Sequence, residues 1–229
     1  MKFFVGLIAA FSFQWAFAVN DKPSTVPTYK VSVDAKLFSE YIERGLSMSD
    51  TNPAMNVAFL YNFGPQFSMG FWGSNISHIS AADDNFWFKF LANVRVDFTP
   101  STGMLLYIND DHYYKSSIRN GQIFGAKFNY LNYLAELEWM NNYQGTHSNS
   151  EYLNVGKLVD YKIFKVGGKI GYTLQSADNY SNYFDFKALG TYAMGSNSTA
   201  EAGLTFVSSD GQFNGRAKPA IYIAISLFY

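Results

Sequence analysis

The sequence predicts an all-β fold, a transmembrane antiparallel up-and-down β-barrel of about 12 strands. Three observations carry this reading. The first is the segment Pro219–Tyr229, PAIYIAISLFY, where Ile221, Ile223, Ile225, Leu227 and Tyr229 alternate with Tyr222, Ala224, Ser226 and Phe228. Period-two alternation places one row of side chains on each face of a strand, and here one row is wholly apolar, as a lipid-facing row must be. The second is composition: 19% of residues are aromatic, with 22 Phe and 17 Tyr, yet mean hydropathy is only -0.09. Aromatic girdles combined with half-polar strands produce that pairing. The third is that short turns and long polar loops take turns along the chain, the asymmetry of barrels with short periplasmic turns and long outer loops.

Other classes fall away on simple grounds. A formal charge of -1 gives no basis for binding nucleic acid. There is no cysteine, so neither a disulfide framework nor a thiolate metal site exists. Past the N-terminus no apolar run is long enough for a membrane-spanning helix. Met1-Lys2, the apolar run Phe3–Phe13 and the small-x-small site Ala16-Phe17-Ala18 read as a secretory signal peptide over 1–18, cleaved after Ala18. Residues 19–29, with Pro23 and Pro27, read as a flexible periplasmic leader, and 30–229 as the barrel. The expected location is the bacterial outer membrane, with its lipid as the first partner.

The strands follow in order. Lys30–Tyr41 sets Val31, Val33, Ala35 and Leu37 outward against Ser32, Asp34, Lys36, Phe38 and Glu40 inward. Glu43–Asn52, ERGLSMSDTN, loses the alternation and reads as a loop. Met55, Val57, Phe59, Tyr61 and Phe63 form the next outward row, followed by a tight turn at Gly64-Pro65-Gln66. Phe67, Met69 and Phe71 continue outward while Ser68, Gly70, Trp72 and Ser74 face in. After a polar loop at 76–85, Phe86 to Phe98 forms the clearest strand, with Trp87, Lys89, Leu91, Asn93, Arg95 and Asp97 inward. Met104, Leu106 and Ile108 begin another strand, and Asn109–Asn120 reads as a long charged loop. Turns at Leu131-Asn132 and Lys162-Ile163, and at Gly195-Ser196-Asn197, join three further hairpins, separated by loops at 141–150, 176–182 and 208–217.

YIERGLSMSD followed by PAM, and then SMGFWGSN, resembles the opening of the TorF family of porins, bacterial outer-membrane proteins. The matching positions are Tyr41, Arg44, Gly45, Ser47, Ser49, Pro53, Ala54, Gly70, Trp72, Gly73, Ser74 and Asn75, with Met48 departing from the expected Gln. The resemblance implies a porin-type barrel and names no chemistry for these residues. The aromatic-ended last strand also resembles the signature read by the outer-membrane assembly machinery, with Tyr229 where Phe is commoner.

The inward rows carry both signs of charge. The candidate pore-lining residues are Asp34, Lys36, Glu40, Lys89, Arg95, Asp97, Lys127, Glu136, Glu138, Asp160, Lys165, Lys169, Asp185, Lys187 and Glu201. Two-residue turns set Lys127 opposite Glu136 and Asp160 opposite Lys165, a favourable arrangement on neighbouring strands. A mixed-charge lining suits a narrow, weakly selective passive pore for small hydrophilic solutes, with no catalytic residues, metal or cofactor. The same lining also suits a salt-bridged lumen in a structural or adhesive barrel that acts through its outer loops. Arg44 is either an anion-attracting charge at the outer vestibule or a loop anchor beside an unusual backbone angle at Gly45. His78, His112 and His147, with Asp83-Asp84 and Asp110-Asp111, fall in expected outer loops, where an outer-membrane hydrolase would carry its site; no Ser-His-acid spacing stands out.

Overall fold

A computed structural model describes residues 31–77, 84–209 and 211–229. Its strands are β1 (Val31–Phe38), β2 (Ile42–Glu43), β3 (Leu46–Ser47), β4 (Ala54–Asn62), β5 (Phe67–Asn75), β6 (Phe86–Thr99) and β7 (Thr102–Tyr113). They continue as β8 (Gly121–Tyr130), β9 (Tyr133–Met140), β10 (Ser150–Tyr161), β11 (Phe164–Gln175), β12 (Tyr183–Gly195), β13 (Ser198–Val207) and β14 (Ala220–Phe228). Among the described residues β1 and β4–β14 close into one antiparallel barrel of twelve strands, and β2–β3 form a separate small hairpin. Each barrel strand pairs with its sequence neighbours, and β14 closes on β1 through the register Asp34↔Phe228 to Phe38↔Ala224. The signal peptide and leader lie outside the described residues, as do His78 and Asp83.

The alternation read from sequence is the inside–outside pattern of the wall. On β14, Ile221, Ile223, Ile225 and Leu227 are exposed while Tyr222, Ala224 and Ser226 are buried. The same holds on β4, where Met55 and Phe59 face out and Ala54, Asn56 and Ala58 face in. Exposed Phe, Ile, Leu and Val, with Tyr133 on β9, give all twelve barrel strands an apolar outer face, which lipid covers at this extent. The two-residue turns hold the expected registers: Tyr130↔Tyr133 and Tyr161↔Phe164 flank them, with Leu131 and Lys162 in the left-handed region. Short turns gather at one end of the barrel, with Val31 and Tyr229. Long loops gather at the other.

Three boundaries differ from the sequence reading. β1 stops at Phe38, not Tyr41, because the chain then bends into the barrel. β7 runs on to Tyr113, so Asp110, Asp111 and His112 are strand residues and not loop residues. Their polarity misled: Asn109 and Asp111 are simply the inward row of a strand whose interior is polar, paired with β6 and β8. Most consequentially, Glu43–Asn52 is not an external loop. Its first part, residues 43–49, enters the lumen, with Leu46 at 0%, Met48 at 1% and Ser49 at 0% exposure, while Asp50, Thr51 and Asn52 are exposed.

The outer face supplies a direct check. Ile170 sits midway along β11 and points outward. Ile170→Lys should cost about 2–4 kcal/mol of folded stability in a bilayer, against about 0–1 kcal/mol for Val159→Lys near the short-turn rim. Urea titration of the barrel in lipid vesicles reads both; equal costs would show that the outer face does not traverse hydrocarbon.

Candidate functional site

The site is built on the first long loop. Ile42 pairs with Ser47 and Glu43 with Leu46, leaving Arg44-Gly45 as a two-residue turn. Both turn residues have positive φ, 49° at Arg44 and 76° at Gly45, the backbone of a type I′ hairpin turn. Gly45 is required twice over. A side chain there would strike Val207, and its Cβ would come within 2.9 Å of the Asp185 Cβ.

The hairpin reaches across the lumen. In the cyclic strand order β9 lies six strands from β1 in either direction, on the opposite wall. Arg44, at the hairpin tip, pairs with Glu138 of β9 and also contacts the Met140 sulfur. Its guanidinium carbon lies 4.8 Å from the Tyr152 ring centroid and 5.3 Å from that of Tyr143. Burial works against the Arg44 charge, but attraction by Glu138, with Tyr143 and Glu43 adding to it, holds its pKa above the ordinary value. The base of the hairpin is tied to β6, three strands round the barrel from β1. Glu43 accepts from the Tyr41 hydroxyl and lies 3.8 Å from the Lys89 ammonium. Lys89 in turn is 3.9 Å from Asp111 and sits 3.9 Å from the Trp87 ring centroid and 4.9 Å from that of Trp72.

The rest of the loop is stitched to its neighbours by backbone. Ser47 N–H donates to the Arg216 carbonyl (2.9 Å), Met48 N–H to Tyr41 (2.8 Å) and Ser77 N–H to Met48 (3.0 Å). Ser49 Oγ accepts from Tyr41 N–H at 2.9 Å. These are the residues of the RGLSMSD motif. The second part of the motif serves the adjoining wall: Trp72 packs edge-on against Trp87 at 5.2 Å, and Ser74 Oγ donates to Asn56 at 2.6 Å. Asn75 accepts from Met55 N–H at 2.6 Å and donates to the Pro53 carbonyl at 3.0 Å, while Gly73 lies beneath the Phe86 ring.

Below the hairpin the inward charges form local sets. Lys127 and Glu136 are cross-strand partners at 3.2 Å, and Asn154 also donates to Glu136. Glu201 takes Lys36 at 2.9 Å, Lys187 at 3.2 Å and the Tyr222 hydroxyl. Tyr107 donates to Glu138 across Gly125, and Tyr152 donates to Asp185 at 3.3 Å across Gly171. A Cβ at Gly171 would collide with the Tyr152 hydroxyl, so the glycine lets the ring lie along the wall. Asp34 and Lys169 also face in, and Glu40 is buried just past β1.

Four of the sequence candidates are elsewhere on the inward row. Arg95 and Asp97 pair with each other at 3.0 Å and are half exposed at the short-turn mouth. Asp160 and Lys165 pair there at 3.5 Å, as their register requires. Of the two readings of Arg44 the loop anchor holds, beside Gly45 at positive φ, but the loop that it anchors lies in the lumen and not at the outer vestibule. His112 bonds Asp110 at 2.8 Å on the outward row of β7, away from the lumen. His147 is exposed in its loop. Among the described residues no group of three or more His, Asp or Glu is placed to hold a metal ion. Sequence reasoning missed Glu43, Asp111 and Tyr152 as lumen groups. The signal for the hairpin was Arg44-Gly45 flanked by Ile42 and Leu46, too short to show a period.

Two cavities flank the hairpin. One, of about 30 Å³, lies between Arg44, Trp87, Arg119 and Tyr143 toward the long loops. The other, of about 70 Å³, lies beneath Gly45 between Glu138, Lys169 and Asp185.

A family model described as a bacterial protein of unknown function, Gcw_chp, matches residues 22–219. The chain belongs to that family. Among curated proteins no relative matches. Among solved structures, the KdgM porin superposes with a TM-score of 0.54 at 9% identity, over 86% of this chain and 98% of that chain. The KdgM porin in complex with disordered oligogalacturonate gives the same values. At that identity the likeness speaks to the fold: this is a porin-like barrel.

The Lys127–Glu136 pair tests the lumen register. Lys127→Glu places a second carboxylate against Glu136 in the interior and should destabilise the barrel by about 3–5 kcal/mol. Adding Glu136→Lys should restore a substantial part. Independent, additive losses in denaturant unfolding would show that the two side chains do not meet.

Proposed function

We propose that this protein is a narrow passive pore of the bacterial outer membrane, a porin of the TorF type, for small hydrophilic solutes. The observation that carries the reading is the pairing of a charged inward row with cavities on both sides of the hairpin. A barrel serving only as a solid anchor could be filled with apolar side chains, which avoid the desolvation of buried charge. A polar lumen holding water-sized space has a reason if water and solutes traverse it. The near balance of inward acids and bases fits weak ion selectivity. Trp72, Trp87, Tyr107 and Tyr222, with the hairpin, narrow the path and fit a small conductance. In this reading the long loops face outward and the short turns face the periplasm.

The hairpin is then the constriction, and the Arg44–Glu138 pair clasps it to the far wall. Planar-bilayer recording is the test. The folded barrel should give small discrete steps, and Arg44→Ala should raise single-channel conductance several-fold by freeing the hairpin tip. Silence from both proteins, each shown to be folded by its heat-dependent gel shift, would remove the pore.

A further inference from the structure

The chamber beneath the hairpin has a feature that the wall does not resolve internally. Lys169 and Lys187 are direct cross-strand partners, an arrangement of like charges that costs stability. Lys187 is compensated by Glu201, at 3.2 Å. Lys169, half-buried, has no hydrogen bond or ion pair among the described residues; it approaches the Tyr152 ring centroid to 5.9 Å, and its charge is the foremost one acting on Asp185. On the same face, diagonal to it, is Asp185, opposite Gly171. One Asp185 oxygen accepts from Tyr152, and the other, Oδ2, is buried without a partner. Thr205, opposite Lys187, is likewise buried with an unpartnered hydroxyl. Lys169, Asp185 and Thr205 all line the 70 Å³ chamber. Asp185 and Thr205 are each 2% exposed.

An ammonium and a carboxylate with an unpartnered oxygen therefore share one wall and attract each other without closing into an ion pair. Buried polar atoms are ordinarily satisfied, so unpartnered groups on residues that line a cavity point to what it holds. A neutral polyol would satisfy Asp185 but leave Lys169 without an ion-pair partner. A simple anion would serve Lys169 and be repelled by Asp185. A solute carrying both charges serves both. The volume sets the size: at about 10–15 Å³ for each water-sized position, 70 Å³ holds roughly five non-hydrogen atoms.

We propose that this chamber is a binding subsite for a small zwitterion of the α-amino acid class. The solute carboxylate sits on Lys169 Nζ, its ammonium on Asp185 Oδ2, and Thr205 Oγ1 supplies a further hydrogen bond. The site rests on the pore reading for its place on a path, but not for its existence.

Saturation-transfer NMR with glycine on the folded barrel in detergent micelles tests it. Glycine should show saturable transfer that neither glycerol nor acetate displaces. Lys169→Met and Asp185→Asn should each weaken binding at least tenfold, and the milder Thr205→Val a few-fold. No saturable transfer to a barrel with an intact gel shift, or transfer unchanged in both charge variants, overturns the proposal. Displacement by acetate with sensitivity to Lys169→Met alone also overturns it, in favour of an anion site. Glycerol-driven swelling of vesicles carrying the barrel reads the pore separately. A barrel that binds glycine yet passes no glycerol keeps the subsite and removes the pore.

Discussion

Closure of β14 on β1 is the constraint from which the rest of the molecule follows. In hydrocarbon an unpaired strand edge leaves its N–H and C=O groups without partners, and each such group costs several kcal/mol. The pairing of Val33 with Tyr229 in both directions, at 2.7 and 2.8 Å, and of Ser39 with Ile223 at 2.8 Å removes that edge. Once twelve strands are closed, every second residue is committed to lipid and every other one to the interior. The lumen then has a set width. Side chains alone span it poorly at this strand number, which lies between filled small barrels and wide porins. Large inward tyrosines and tryptophans, and the hairpin, occupy what the wall cannot.

The interior accommodates its charge by giving several donors to each carboxylate. Glu138 receives Arg44 and Tyr107; Glu201 receives Lys36, Lys187 and Tyr222; Glu136 receives Lys127 and Asn154. Burying an ion pair repays its desolvation only where further hydrogen bonds complete the geometry. The tyrosines are central to this. Tyr107 and Tyr152 lie over cross-strand glycines and reach a carboxylate one strand further on, so each hydroxyl is satisfied and each ring covers bare backbone. Asp185 is less complete: its Oδ2 is buried without a hydrogen-bond partner, as are Asp84 Oδ2 and Asp111 Oδ1.

The hairpin joins these two themes. Its base takes up Lys89 of β6 through Glu43, and its tip takes up Glu138 of β9 through Arg44, so one short loop rooted at β1 ties together strands three apart and reaches the wall opposite its root. The positive φ at Arg44 shows that the tip geometry matters: a non-glycine residue holds a left-handed conformation because that turn aims its side chain at Glu138. The motif from Arg44 to Ser49 is thus a lumen element, built to be buried, and its serines serve backbone amides, not solvent.

The sequence by itself determined the wall: the closed all-β architecture, the inward and outward rows of most barrel strands, and the registers at Leu131-Asn132 and Lys162-Ile163. These are local properties. Period-two alternation needs only one strand to be read, and a two-residue turn sets which residues meet across a hairpin, as for Lys127 with Glu136 and Asp160 with Lys165. Only the tertiary structure decided what fills the lumen. Arg44 and Glu138 stand 94 residues apart in the chain, and no periodicity links them. Whether a polar loop turns outward or inward depends on space that exists only after closure, so Glu43–Asn52 read as an outer loop. The polar run through Asp111 read as a loop for a related reason: polarity marks solvent on most folds, but in a barrel it also marks the inside.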